Sequence, residues 1–122
     1  MDCIFCKFKT NEITCYKIYE DDIILCFLDN FPDSNGHCLI IPKDHYTELD
    51  DIDPNILSHI MKTSKHIKKL LVDKLNCDGV RLIQNNGIIQ EIKHYHLHLK
   101  PFYEVKQEIK SLDEIYKKIK EL

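Results

Sequence analysis

From His94 to Leu99 the chain reads His-Tyr-His-Leu-His-Leu, an imidazole and then an apolar or aromatic side chain, three times over. Period two is the geometry of a strand, in which successive side chains point to opposite faces. Tyr95, Leu97 and Leu99 then cover a hydrophobic core, while His94, His96 and His98 share the other face. A wet sheet face gains little from three adjacent imidazoles, which repel one another on protonation. The histidine face therefore borders a polar or ligand-holding space, and the fold has to be a sheet with two unlike sides.

The rest of the chain supplies such a sheet. Segments 15–20, 22–28, 37–42, 78–85 and 92–99 are rich in β-branched or aromatic residues and end near Asp, Asn, Gly or Pro. Glu20-Asp21-Asp22 predicts a turn joining the first two, and Asn86-Gly87 a hairpin joining the last two. Between the third and fourth, Asp53 is an N-cap with Pro54 at the first helical position. Leu57, Ile60, Met61, Ser64, Ile67 and Leu71 then recur at helical spacing, so one amphipathic helix covers one side of the sheet. The Ser-Leu-Asp-Glu run from Ser111 has capping-box form, and Ile115, Ile119 and Leu122 follow as a packing stripe. This order of elements predicts an α+β domain built on a five-stranded antiparallel sheet, with one main helix and a short C-terminal helix. With 122 residues the chain has room for one core, so 1–122 is read as a single domain and 103–122 as its C-terminal extension.

A formal charge of −3 gives no general attraction to nucleic acid or an anionic membrane. The N-terminus lacks a signal-like apolar run, and no window reaches the roughly 20 apolar residues of a membrane span, so a cytoplasmic protein is expected. Six cysteines without a secretory signal are weak evidence for disulfides. Cys26 and Cys38 sit in apolar segments and read as small hydrophobes. Cys3 and Cys6 form a CxxC, which suits either a redox pair or half of a four-coordinate zinc site; the strand-then-helix context of a redox motif is absent.

In an extended strand the outer two histidines stand about 13 Å apart, so one zinc does not readily take all three. His96, flanked on both sides, suits a nucleophilic or proton-transferring role. His37 opens the third strand and joins the row if that strand runs alongside. Gln84, Asn85, Asn86 and Gln90 offer amides that donate to phosphoryl oxygens, whereas no Gly-rich P-loop is present.

These residues resemble the signature of the histidine triad (HIT) superfamily. The likeness extends to Cys-Ile-Phe-Cys at 3–6, the stretch from Phe27 to His45, and Arg-Leu-Ile-Gln-Asn-Asn-Gly before the triad. It implies a HIT-like fold and a purine nucleotide hydrolase acting at an α-phosphate, with nucleoside phosphoramidates or dinucleoside polyphosphates as substrates. His96 would form a covalent nucleotidyl intermediate, His98 would contact the phosphate and His37 would orient the triad. Phe27 would wall the base and Asp29 the ribose, with Asn85, Gln90, Glu91 and His98 around the phosphate and leaving group. The resemblance further implies a structural zinc on Cys3, Cys6, His45 and His94, and a homodimer in which Ile60, Met61 and Ile67 make apolar contacts. One departure is the loop Asn85–His94, which is two residues shorter than usual and has Ile88-Ile89 in place of a glycine pair. That change favours, as the alternative, a nucleotide- or partner-binding module with little turnover.

Overall fold

The computed structural model describes residues 3–121; Leu122 lies outside them. The chain folds as α1 (Ile4–Lys9), β1 (Lys17–Glu20), β2 (Ile24–Leu28), β3 (Cys38–Pro42), α2 (Pro54–Leu75), β4 (Gly79–Ile83), β5 (Leu97–Phe102) and α3 (Leu112–Lys120), with a 3-10 turn at Gly87–Ile89. The five strands form one antiparallel sheet in the order β1-β2-β3-β5-β4. The expected α+β class and strand count are therefore observed.

Asp53 caps α2 through its carboxylate, which accepts from the backbone N–H groups of Asn55 and Ile56, and Ser111 caps α3 through the N–H of Glu114. On one side of the sheet Ile60, Ile67 and Leu71 of α2 and Ile115 and Ile119 of α3 pack against Ile24, Cys26, Ile40, Leu97 and Leu99. That core consumes Ile60 and Ile67, so neither is available for the intersubunit contact expected of them; Met61 is 47 % exposed. The other side was not legible as an element. There α1 lays Phe5 and Phe8, each 3 % exposed, on Leu25, Phe27, Leu39 and Ile41. Burial of this kind contributes on the order of 2 kcal/mol per aromatic side chain. Every residue of β2 and β3 is consequently buried.

Two expectations about β4 and β5 are corrected. Asn86-Gly87 is not a two-residue hairpin: Gly87, at φ +73°, opens the 3-10 turn within a long connection from Gln84 to His96. The fifth strand begins at Leu97, so His98 alone of the triad lies on it. The segment before it is held instead by Tyr95, whose N–H donates to the Tyr46 carbonyl at 2.7 Å. The alternation survives because that segment stays extended: Tyr95 joins the main core, while His94 and His96 are buried toward α1.

Candidate active site

A cleft of about 320 Å³ opens on the α1 side of the sheet, where the strand register gathers residues remote in sequence. Leu39 pairs with Phe27 on one side and with His98 on the other, and His98 in turn pairs with Ile83. Phe27, Asp29, His37, His96 and His98 all line the cleft, together with Asn85 and Glu91 from the long connection. His37 sits just before β3, and Gly36 makes that entry possible. Its φ is +94°, and a Cβ there would collide with Leu75 Cδ1.

Hydrogen bonds to groups that only donate or only accept fix the imidazole tautomers. His96 Nδ1 lies 2.8 Å from the His94 carbonyl, so this nitrogen carries the proton and Nε2 keeps its lone pair at the cleft wall. His37 Nδ1 accepts the Asp33 N–H at 3.0 Å, which places the His37 proton on Nε2. From there it is donated to His98 Nδ1 at 2.9 Å, with Asp29 Oδ2 a more distant neighbour at 3.5 Å. His98 is left with its own proton on Nε2. One bare nitrogen and one N–H donor thus stand on adjacent rings, whose centroids are 4.9 Å apart. Burial lowers the basicity of all three, and His98, which also feels the positive side of His96, His37 and Lys100, is held at about 4. Near neutrality the three rings are uncharged.

Cys3, Cys6, His45 and His94 form a second cluster, with their ligand atoms within 4.8 Å of one another. His94 Nε2 donates to the Pro42 carbonyl at 2.8 Å, which leaves a lone pair on Nδ1. That nitrogen lies 3.3 Å from Cys3 Sγ and 3.6 Å from Cys6 Sγ, while His45 Nδ1 is 3.4 Å from Cys6 Sγ. Tetrahedral ligation at 2.0–2.3 Å puts ligand atoms about 3.5 Å apart, so two thiols and two imidazole nitrogens, with the His94 lone pair already turned inward, suit a four-coordinate metal ion. A further group, Asp29, His37 and His98, is equally close but unsuited. A metal on His37 Nε2 would push that proton to Nδ1, against the Asp33 N–H.

Other expected contacts are not brought to the cleft. Gln90 is 2 % exposed and donates to the Thr47 carbonyl at 2.6 Å, so it braces the loop instead of facing a phosphate. Gln84 and Asn86 pair their side-chain amides with each other at 2.8 and 3.1 Å. Conversely, Lys100, Asp33 and Phe31 line the cleft without having been singled out. Lys100 was detectable, since it continues the alternation one step beyond His98. Phe31 and Asp33 lie on a loop whose position depends on the His37–Asp33 bond, and no period marks them.

The sequence model of the HIT domain matches residues 10–105. The chain belongs to the HIT family. A HIT-like protein of Methanocaldococcus jannaschii is 38 % identical over 97 % of this chain and 98 % of its own length. The adenosine 5'-monophosphoramidase of Saccharomyces cerevisiae is 41 % identical over 81 % of the chain, which spans 61 % of that enzyme. Among solved structures, a Zn-bound histidine triad protein of Mycobacterium smegmatis superposes with a TM-score of 0.89 at 28 % identity, over 98 % of this chain and 91 % of that one. The HIT assignment accounts for the five-stranded sheet. His96 and His98 line the cleft of about 320 Å³, and the Cys/His cluster reaches them through His94.

Proposed function

We propose that this HIT chain is a hydrolase of purine nucleotides that acts at the α-phosphate, on nucleoside phosphoramidates or dinucleoside polyphosphates. The observation that carries the reading is the bare Nε2 of His96, fixed by its Nδ1–H bond to the His94 carbonyl. His96 attacks the α-phosphorus and the bond from phosphorus to the leaving group breaks, its electron pair going with that group. A phosphate departs as the anion, and the nitrogen of a phosphoramidate takes up a proton from water and departs as the amine. Water then displaces the histidine and releases a nucleoside monophosphate. Two successive displacements replace one difficult step. His98 supplies an N–H to the phosphoryl oxygens, held in place by His37. Phe27 and Leu39 offer the base an apolar wall, and Asp29 offers the ribose a carboxylate. Asn85 and Glu91 line the same cleft, and we assign them to the surroundings of the phosphate. The similarity to an adenosine 5'-monophosphoramidase supports both the reaction class and the adenine nucleotide.

Cys3, Cys6, His45 and His94 would hold a zinc ion, which would cross-link α1 to the segment that presents His96. The Zn-bound relative and the donor set favour this metal. The decisive experiment is mass spectrometry of protein quenched during turnover of adenosine 5'-phosphoramidate, which should find AMP on His96. His96→Ala should lose at least about 10²-fold in kcat/KM. Wild-type turnover in that variant would remove His96 from the chemistry, and a chain that binds AMP without turnover would be the binding module.

A further inference from the structure

β4 and β5 carry the cleft face past the histidines. Arg81 is the direct partner of Lys100 in the register, as Ile83 is of His98, so the two cations stand side by side on the face that bears His96 and His98. Like charges directly opposite one another cost a sheet stability. They are relieved in different directions: Lys100 Nζ donates to Asp33 at 2.6 Å, and the Arg81 guanidinium lies 5.2 Å from the centre of the Phe102 ring. Beyond them is a second cavity of about 560 Å³, lined by Arg81, Ile83, Phe102, Lys106 and Ile109 among others. Asp33 and Lys100 line both this cavity and the cleft, so their ion pair is the partition between the two.

We propose that the two cavities form one extended substrate site, the second receiving a polyphosphate chain that continues beyond the α-phosphate. The proposal rests on the reading of His96 as the attacking group. His96, His98 and Lys100 follow one another down the chain at about 6.6 Å intervals. A phosphate held at His98 and attacked from His96 expels its leaving group on the far side, toward Lys100. As the Nε2–P bond forms, the P–O bond to the β-phosphate breaks and its electron pair stays on that phosphate, which leaves as an anion and needs no proton.

The charges suit such a group once Lys100 changes partners. Three cations, Arg81, Lys100 and Lys106, face two carboxylates, Asp33 and Glu104, in the second cavity. The Asp33 side chain is 66 % exposed and that of Lys100 25 %, so Asp33 swings into solvent and yields the ammonium to a phosphate. With its carboxylate mostly in water, Asp33 loses little on parting from the ammonium. Phe102, 42 % exposed and already stacked by a guanidinium, offers a ring face to a base at the far end of the chain.

Calorimetry on the whole protein with AMP, ATP and diadenosine tetraphosphate tests this without requiring turnover. ATP should bind at least about tenfold more tightly than AMP, and Arg81→Ala should erase most of that difference while Arg81→Lys restores it. A further gain from ATP to diadenosine tetraphosphate that is lost in Phe102→Leu assigns the ring to a second base; no further gain assigns the cavity to the phosphates alone. Where turnover is measured, the ratio of kcat/KM for diadenosine tetraphosphate to that for adenosine 5'-phosphoramidate should fall at least about tenfold in Arg81→Ala. Equal binding of AMP and ATP, or a ratio unmoved by Arg81→Ala, overturns the proposal. A second copy of the chain filling the cavity would give that same result. Absence of turnover with the binding differences intact would instead remove the hydrolase reading and leave the extended site standing.

Discussion

His98 Nδ1 can accept the His37 proton only while it is itself unprotonated, which ties the site's geometry to the low basicity of the buried ring. The unfolded chain takes up a proton on this histidine near 6.5, the folded chain only at about 4. Between those values the unfolded chain holds more protons, so acidification through that window destabilises the fold, and stability rises with pH across it. The melting temperature of the wild type should therefore fall from pH 6.5 toward pH 4, and His98→Gln, which cannot titrate, should flatten part of that slope. An unchanged slope would show that His98 is not the group responsible. At this scale the sequence was informative about which residues matter and silent about their protons. Alternation marks His94, His96 and His98 in one row. Their tautomers depend on the carbonyls of His94 and Pro42 and on the N–H of Asp33, whose positions no spacing reveals. Gln90 failed for a related reason: an amide before the triad serves a phosphate or a loop carbonyl equally well, and here Thr47 takes it.

At the scale of elements, the strands of the β2–β3 hairpin, α2 and its Asp53 cap were readable because hydrophobic period and capping chemistry agree there. α1 was not, since six residues hold too few turns for a period to emerge. Yet α1 forms one wall of the cleft through Ile4, Phe5 and Phe8, and it brings Cys3 and Cys6 to His45 and His94. A metal there would join α1, the segment after β3 and the segment before β5. Thiolates and neutral imidazoles are required as ligands, so acid should release the ion. The double variant Cys3→Ala/Cys6→Ala should lose zinc and melt about 5 °C or more below the wild type, while keeping measurable turnover because His96 lies outside the cluster. Elemental analysis of protein prepared with zinc is the check, and less than about 0.1 equivalent in the wild type would rule the site out.

For the whole molecule the open question is the two edges of the sheet. β1 is one edge, and α3 packs on it and on α2, with Lys120 Nζ donating to the Ile18 carbonyl at 2.9 Å. Helix α3 therefore shields the β1 end, and β4 is the edge at the opposite end. Among the described residues no strand pairs with the outer side of β4, an arrangement that invites strand pairing with another chain. Leu82 on that strand is 43 % exposed and Met61 on α2 is 47 % exposed, which gives a second copy apolar surface to bury. Pairing two β4 strands about a two-fold axis would extend the sheet across both chains while each keeps its own cleft. Backbone pairing at the edge leaves the Arg81 side chain on the sheet face, so such a dimer and the extended site are compatible. We expect light scattering at micromolar concentration to give about 29 kDa, twice the 14.5 kDa chain mass. Leu82→Lys, which places a charge in the pairing surface, should shift the population toward the single-chain mass. A wild-type mass of 14.5 kDa would mean that the β4 edge is tolerated in water without a partner.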